Sequence, residues 1–376
     1  MTFEWEAIAK AWRAGAHDTA RAQLATALAE PDPPSELLAL QLQIAAAAGE
    51  DVDFSRASRI SWKLAAGTLL DWGEVDALGV FLPEMIKLYR GSFFFTYLER
   101  LFAAIPAGQP PFVDDPRAFV QVAPHAGADT VVFAFTGGSR RLGIPVTIMQ
   151  RFFAARGVHV VYLRDANRQM YRNGVTGLGG SRATSLDALR AIASDLGATR
   201  IVTFGASMGG YAALWYGLDL GAEAVLALSA STRLDVSRMT RRWRLRAEAE
   251  LGRALVDSDL EPFNLRALYE GAPKPPRVRL VYSAELESDR QHAENMAGLP
   301  RVALDALEGE ATHSSWRLLV VSGGFEETLD WLVANDVKPA SFPSHRPTTF
   351  RQRTAEAVAK LFAVLKPRAA QRRQTT

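Results

Sequence analysis

The clearest candidate for a reactive side chain is the serine of Gly205-Ala206-Ser207-Met208-Gly209, which has a glycine two residues away on either side. A short β-branched run, Ile201–Phe204, precedes this pentapeptide, and an alanine-rich stretch typical of a helix follows it. A serine at such a strand-to-helix turn is held in a strained conformation, and the glycines are needed because a Cβ there would clash. Ser207 is therefore a candidate nucleophile, and the amide of Met208 at the helix N-terminus is a candidate oxyanion donor.

A serine hydroxyl becomes a good nucleophile when a base removes its proton, and imidazole suits that task near neutral pH. The chain has six histidines. Five occupy a helical region, a strand interior, a helix, a segment ahead of the sheet or a Pro-rich tail: His17, His159, His292, His125 and His345. His313 instead follows the predicted strand Val302–Leu307 and precedes a helix. In a parallel sheet it lies at the carboxyl edge, as Ser207 does, and is the candidate base.

The third group must orient the imidazole and stabilise its cationic form. The loop after the predicted strand Val278–Tyr282 offers three carboxylates: Glu285, Glu287 and Asp289. Asp289 stands next to the following helix, where aspartate is also a common N-cap residue. Glu285 stands nearer the strand end. Asp289 is the preferred candidate, and Glu285 and Glu287 stay open as alternatives.

The order Ser207, Asp289, His313 resembles that of the α/β-hydrolase superfamily, over about residues 118–334. The resemblance implies a mostly parallel sheet with helices on both faces. It also implies a second oxyanion donor just after the strand that ends at Phe135. By position the amide of Gly138 is the candidate, with Gly137 as its neighbour.

The elements that must position these groups follow from the hydrophobic pattern. Residues 1–107 show helical spacing throughout, typical of a small bundle or of a tetratricopeptide-like hairpin. Residues 112–336 alternate apolar strands with helices, which indicates an α/β core with a parallel sheet. Residues 337–376 form a Pro-rich linker, a basic amphipathic helix and a polar tail.

One interruption of the α/β core stands out. Residues 232–275 are helical and Arg-rich, and they leave the predicted sheet at the edge where Ser207 lies. This placement predicts either a lid over the mouth of the serine pocket or a solvated helical excursion. Met239, Trp243, Leu245, Leu251 and Leu255 could face the pocket in the first case.

Composition narrows the functional classes. A formal net charge of +2 gives no general signal for nucleic-acid binding, and the absence of cysteine excludes disulfides and thiolate chemistry. No spacing is typical of a metal site, so no metal or cofactor is expected. No signal peptide or apolar run long enough to span a bilayer is visible, and we expect a cytoplasmic protein.

The residues therefore predict a serine hydrolase that cleaves a small-molecule carboxylic ester or thioester through an acyl-enzyme on Ser207. An acyltransferase would use the same three groups. A third interpretation is an interaction protein, in which the N-terminal helices bind a protein partner and the hydrolase-like core is a scaffold.

Overall fold

A computed structural model describes most of the chain up to residue 334. The described residues are 4–29, 33–109, 112–115, 117–166, 168–234, 244–245, 248–249, 252–254 and 256–334. The chain divides into two compact units. The first contains residues up to 115 together with 144–155, and the second contains 116–143 together with the described residues from 156 onward.

The first unit is helical. Its helices are α1 (Glu4–Arg13), α2 (His17–Ala27), α3 (Ser35–Ala48), α4 (Arg59–Trp72), α5 (Val75–Leu88), α6 (Phe93–Ala104) and α7 (Val146–Ala154). α1 packs on α2 and α3 packs on α4, each pair being neighbours in sequence. Gly49 and Gly73 end α3 and α4 in the left-handed conformation, which glycine adopts without a Cβ penalty. The helical prediction for this region is confirmed.

The second unit is built on a sheet of seven strands within the described residues, in the order β1-β3-β2-β4-β5-β6-β7. The strands are β1 (Val120–Ala123), β2 (Thr130–Phe135), β3 (His159–Leu163), β4 (Arg200–Ala206), β5 (Ala224–Leu228), β6 (Arg277–Ser283) and β7 (Val302–Leu307). Only β1 is antiparallel to its neighbour, and it lies at the edge. The carboxyl ends of β2 to β7 therefore meet at one edge, as predicted.

Helices cover both faces of this sheet. Strands β2, β3, β5 and β6 are therefore buried along their whole length. The helices of this unit are α8 (Arg182–Asp195), α9 (Met208–Asp219), α10 (Leu265–Glu270), α11 (Glu287–Glu294), α12 (Ser315–Ser322) and α13 (Phe325–Val333). Residues of α8, α9, α10 and α11 share one apolar cluster with the strand residues that face them, such as Phe133, Val225 and Leu280. The predicted doubly covered, mostly parallel sheet is confirmed.

The sequence pattern predicts a single helix over Trp316–Leu332, and this is wrong. The structure has two helices, α12 and α13, separated at Gly323. Gly323 has a φ of 80°, so it ends α12 in the left-handed conformation and turns the chain. The apolar periodicity continues across the break, which explains why the pattern alone did not show it.

The excursion after β5 is described only in part. Met239, Trp243, Leu251 and Leu255 lie outside the described residues, as does the tail predicted over 337–376. Residues 257–270 are described and pack on the body, where the Tyr269 hydroxyl donates to the Leu214 carbonyl of α9 at 2.9 Å. Within the described residues, no helix is both long and apolar enough to cross a membrane.

Candidate active site

Ser207 lies between the end of β4 and the start of α9. Its φ of 56° and ψ of −121° form a combination that an L-residue adopts only under strain. Backbone hydrogen bonds hold it on both sides. Its amide donates to the Leu228 carbonyl of β5 at 2.8 Å, and its carbonyl accepts from the Gly210 amide at 2.9 Å. The strained turn is thereby built into the sheet and the helix, as the Gly-x-Ser-x-Gly pattern predicts.

The flanking glycines are required by the close approach of backbone around this turn. A Cβ at Gly205 would lie 2.1 Å from the Gly209 carbonyl oxygen, and a Cβ at Gly209 would lie 2.0 Å from that of Phe135. Both distances are far shorter than van der Waals contact. The two glycines let α9 start directly against the ends of β2 and β4, which leaves the serine hydroxyl on the carboxyl edge.

Three side chains meet at this edge. His313 Nε2 lies 2.8 Å from Ser207 Oγ, and His313 Nδ1 lies 2.7 Å from Asp289 Oδ1. The Asp289 side chain is 2% exposed, whereas that of His313 is 50% exposed. The carboxylate is thus shielded from water and hydrogen-bonded to the imidazole, while the imidazole faces the serine and the solvent. This arrangement can carry a proton from a serine hydroxyl to a leaving group.

The structure separates the three acidic residues that the sequence left open. Asp289 lies in the first turn of α11, not in the preceding loop, because that helix begins at Glu287. A carboxylate there is stabilised by the helix dipole. Glu285 instead accepts a hydrogen bond from the Gly309 amide at 2.9 Å, and Glu287 pairs with Arg290. Of the three, Asp289 is the one placed against His313.

The loop that carries the histidine is tied to the end of β6 at two points. Glu285 binds the Gly309 amide, and the Ser283 hydroxyl donates to the Glu310 carbonyl at 2.6 Å. Ser283 is fully buried. Sequence reasoning missed both tethers, although Ser283 carries one usable signal: a hydroxyl at the carboxyl end of a buried strand.

Two backbone amides are candidates for binding an oxyanion. Met208 is the first residue of α9, where the amide has no acceptor inside the helix. Beyond β2, the Gly137 amide already donates to the Arg141 carbonyl at 2.8 Å. A Cβ at Gly138 would lie 3.2 Å from Met208 Sδ, so Gly138 lies against the Met208 side chain. Of the two glycines considered, Gly138 is the one whose amide is not used inside its own loop.

The strand order, with an antiparallel edge strand and a strained serine between β4 and α9, decides the architecture. The described residues have an α/β-hydrolase-like fold, a mostly parallel sheet with one antiparallel edge strand and helices on both faces. Across the described residues, no group of three or more His, Asp or Glu side chains is arranged to hold a metal ion.

Solved structures include several similar proteins. One is FphF, a fluorophosphonate-binding serine hydrolase of Staphylococcus aureus, with 14% identity and a TM-score of 0.43 over 57% of this chain and 92% of that one. S-formylglutathione hydrolase FrmB of the same organism has 14% identity and a TM-score of 0.42 over 57% and 92%. An acylaminoacyl peptidase of Pyrococcus horikoshii has 15% identity and a TM-score of 0.42 over 59% and 40%.

No protein-family model and no curated protein matches the sequence.

Proposed function

We propose that the protein is a serine hydrolase that cleaves a carboxylic ester or thioester of a small molecule. One observation carries the proposal: a strained serine whose hydroxyl is 2.8 Å from an imidazole that is in turn 2.7 Å from a buried carboxylate. Each distance is that of a hydrogen bond suited to proton transfer. Ser207, His313 and Asp289 are the proposed catalytic residues.

In the first half of the reaction, Ser207 Oγ attacks the carbonyl carbon of the substrate. His313 Nε2 accepts the serine proton, and Asp289 stabilises the imidazolium that forms. The amides of Met208 and Gly138 donate to the oxygen that becomes negative in the tetrahedral intermediate. Collapse of the intermediate breaks the bond to the leaving oxygen or sulfur, which takes the proton from His313.

In the second half, water attacks the acyl carbon and gives its proton to His313. The bond to Ser207 Oγ then breaks, the serine takes the proton back from His313, and the carboxylic acid leaves. An alcohol in place of water would turn the same steps into acyl transfer. The half-exposed His313 ring favours hydrolysis, because water reaches the base without a conformational change. Acyl transfer stays as the alternative, and product analysis with and without an added alcohol separates the two.

An interaction role through the N-terminal helices is the second class of function. Apolar side chains stand exposed there, such as Ile60 at 72%, Leu64 at 56% and Val80 at 57%. Scattered exposed apolar residues are common on protein surfaces, so this favours at most a protein partner in addition to catalysis. A scaffold without catalysis gives no reason for a strained serine aligned with His313.

The test is labelling by a fluorophosphonate probe together with hydrolysis of p-nitrophenyl esters of graded chain length and of acyl-CoA thioesters. The wild-type protein is expected to be labelled at Ser207 and to hydrolyse at least one class. The Ser207→Ala variant is the matched control and should do neither. A wild-type protein that is folded but inert to the probe would favour the scaffold interpretation.

A further inference from the structure

A buried tyrosine lies beneath the loop proposed to hold the oxyanion. The Tyr171 hydroxyl is 2.7 Å from the Leu163 carbonyl and 3.0 Å from the Thr136 carbonyl. These two carbonyls stand at the paired ends of β3 and β2, where Leu163 is in register with Phe135. The hydroxyl therefore bridges the two strands at the point where β2 turns into the candidate oxyanion loop.

The backbone beyond Thr136 is held one peptide at a time. The first peptide has its carbonyl, that of Thr136, bound by Tyr171, and its amide, that of Gly137, bound by the Arg141 carbonyl. Both ends of this planar unit are therefore fixed, and its orientation is set.

The next peptide joins Gly137 to Gly138. Its carbonyl accepts from the Arg140 amide at 2.9 Å. In a trans peptide the N–H points opposite to the C=O, so the Gly138 amide is directed away from the turn that Arg140 closes. A Cβ at Gly137 would lie 3.7 Å from Ser207 Cβ, which puts this peptide beside the serine.

Tyr171 is itself rigidly placed. Its φ is 59°, and among the described residues of the same loop Met170 at 58° and Arg168 at 53° also have a positive φ. Left-handed backbone at such residues persists only where the surroundings enforce it, and it is frequent at functional sites. Here Asp165 accepts from the Tyr171 amide at 3.1 Å, and the Tyr216 hydroxyl donates to the Tyr171 carbonyl at 2.8 Å.

The environment also keeps the hydroxyl a donor. Tyr171 is 1% exposed, and its ring packs edge-on against Phe135 at 5.2 Å between centroids. Burial raises the pKa of Tyr171 far above its ordinary value, so its proton stays in place across the pH range of any assay.

We propose that Tyr171 is a positioning residue of the oxyanion hole: by fixing the Thr136–Gly137 peptide, it aims the Gly138 amide at the oxyanion that forms beside Ser207. This inference rests on the proposed hydrolase function. Removing an oxyanion donor outright costs about 10²- to 10³-fold in kcat. A donor that is still present but poorly aimed should lower kcat by less, about ten- to a hundredfold. KM should change little, because the Gly138 amide bonds to the oxyanion only in the transition state.

The experiment compares Tyr171→Phe with Tyr269→Phe in the full-length protein. Tyr269 is the matched control: it is 2% exposed, and its hydroxyl donates to the Leu214 carbonyl, away from the oxyanion loop. Each variant loses one buried hydroxyl, whose single proton is shared between two backbone carbonyls at Tyr171 and goes to one at Tyr269, so both should lose thermal stability of similar size. Only Tyr171→Phe should lower kcat with an unchanged KM. It should also weaken inhibition by a trifluoromethyl ketone, whose adduct carries the oxyanion, by a similar factor.

Equal kcat values for the two variants, or a fall confined to KM, would overturn the inference while leaving the hydrolase function standing. A wild-type protein without ester hydrolysis or probe labelling would overturn both. If Tyr171→Phe does not fold, Tyr216→Phe replaces it, because that change removes the bond to the Tyr171 carbonyl and spares the Tyr171 hydroxyl. The inference then fails if Tyr216→Phe matches Tyr269→Phe in kcat and in inhibitor affinity.

Discussion

Replacing Asp289 by asparagine should remove the charge that supports His313 while keeping the shape of the side chain. The carboxylate is 2% exposed and lies 2.7 Å from the imidazole. With the two charge centres about 4 Å apart and an effective dielectric constant of about 20, their attraction is about 4 kcal/mol. At about 1.4 kcal/mol per factor of ten, the imidazolium in the transition state loses enough support to lower kcat about a thousandfold.

Glu285→Gln is the matched comparison, because it makes the same chemical change four residues away in the chain. Glu285 accepts a hydrogen bond from the Gly309 amide, and the glutamine carbonyl can accept the same bond. We expect this variant to keep kcat within about tenfold of the wild type, the loss of a charged hydrogen bond being about 1 kcal/mol. The two variants therefore differ by about two orders of magnitude.

The assay is steady-state hydrolysis of a p-nitrophenyl ester, with thermal unfolding of each variant measured in the same buffer. Unfolding curves matter because Asp289 is buried, and a loss of folded protein would imitate a loss of catalysis. A similar kcat for Asp289→Asn and Glu285→Gln, with both proteins folded, would refute the assignment of the acid. A larger loss for Glu285→Gln would move the acid to Glu285.

The remaining predictions concern the serine, the glycine turn and the histidine loop. Ser207→Ala should lower kcat by several orders of magnitude, with a melting temperature close to that of the wild type in a thermal scan. Gly209→Ala should lower the free energy of unfolding by several kcal/mol in a urea titration, because its Cβ would lie 2.0 Å from a β2 carbonyl oxygen. Gly180→Ala, with open space around the Cβ, is its control and should change little. Ser283→Ala removes the bond to the Glu310 carbonyl and should lower kcat about tenfold, and an unchanged kcat would exclude a positioning role for that tether.

Much of this protein follows from local rules that act along the chain. The alternation of apolar strands with helices predicts a parallel sheet, and parallel strands bring their carboxyl ends to one edge. A serine between closely spaced glycines, directly after a strand and before a helix, is typical of a tight strand-to-helix turn. Ser207 and His313 could be named from the sequence as candidate nucleophile and base, because each follows a predicted strand. The topology of a parallel sheet places both at the same edge.

The choice among Asp289, Glu285 and Glu287 was decided by tertiary structure. Three carboxylates within five residues are almost equivalent in sequence, and which of them faces His313 depends on where α11 begins and how it packs. The first turn of α11 points Asp289 inward, while Glu285 is used to hold the histidine loop. Side-chain direction is set by packing between elements, which no local pattern records.

Packing between distant segments also explains why the sequence could not choose between Gly138 and Gly137 and why it did not reveal Tyr171. The two glycines are neighbours of identical type, and the hydrogen bond from the Gly137 amide to the Arg141 carbonyl distinguishes their amides. Tyr171 lies in a loop without any motif, 35 residues from Thr136, whose carbonyl its hydroxyl binds. The sequence by itself determined the alternation of strands and helices in the core, their order and the residue types that can do chemistry. The orientation of each amide and carboxylate was decided only when distant segments packed together, because hydrogen bonds between such segments depend on distances in space and not along the chain.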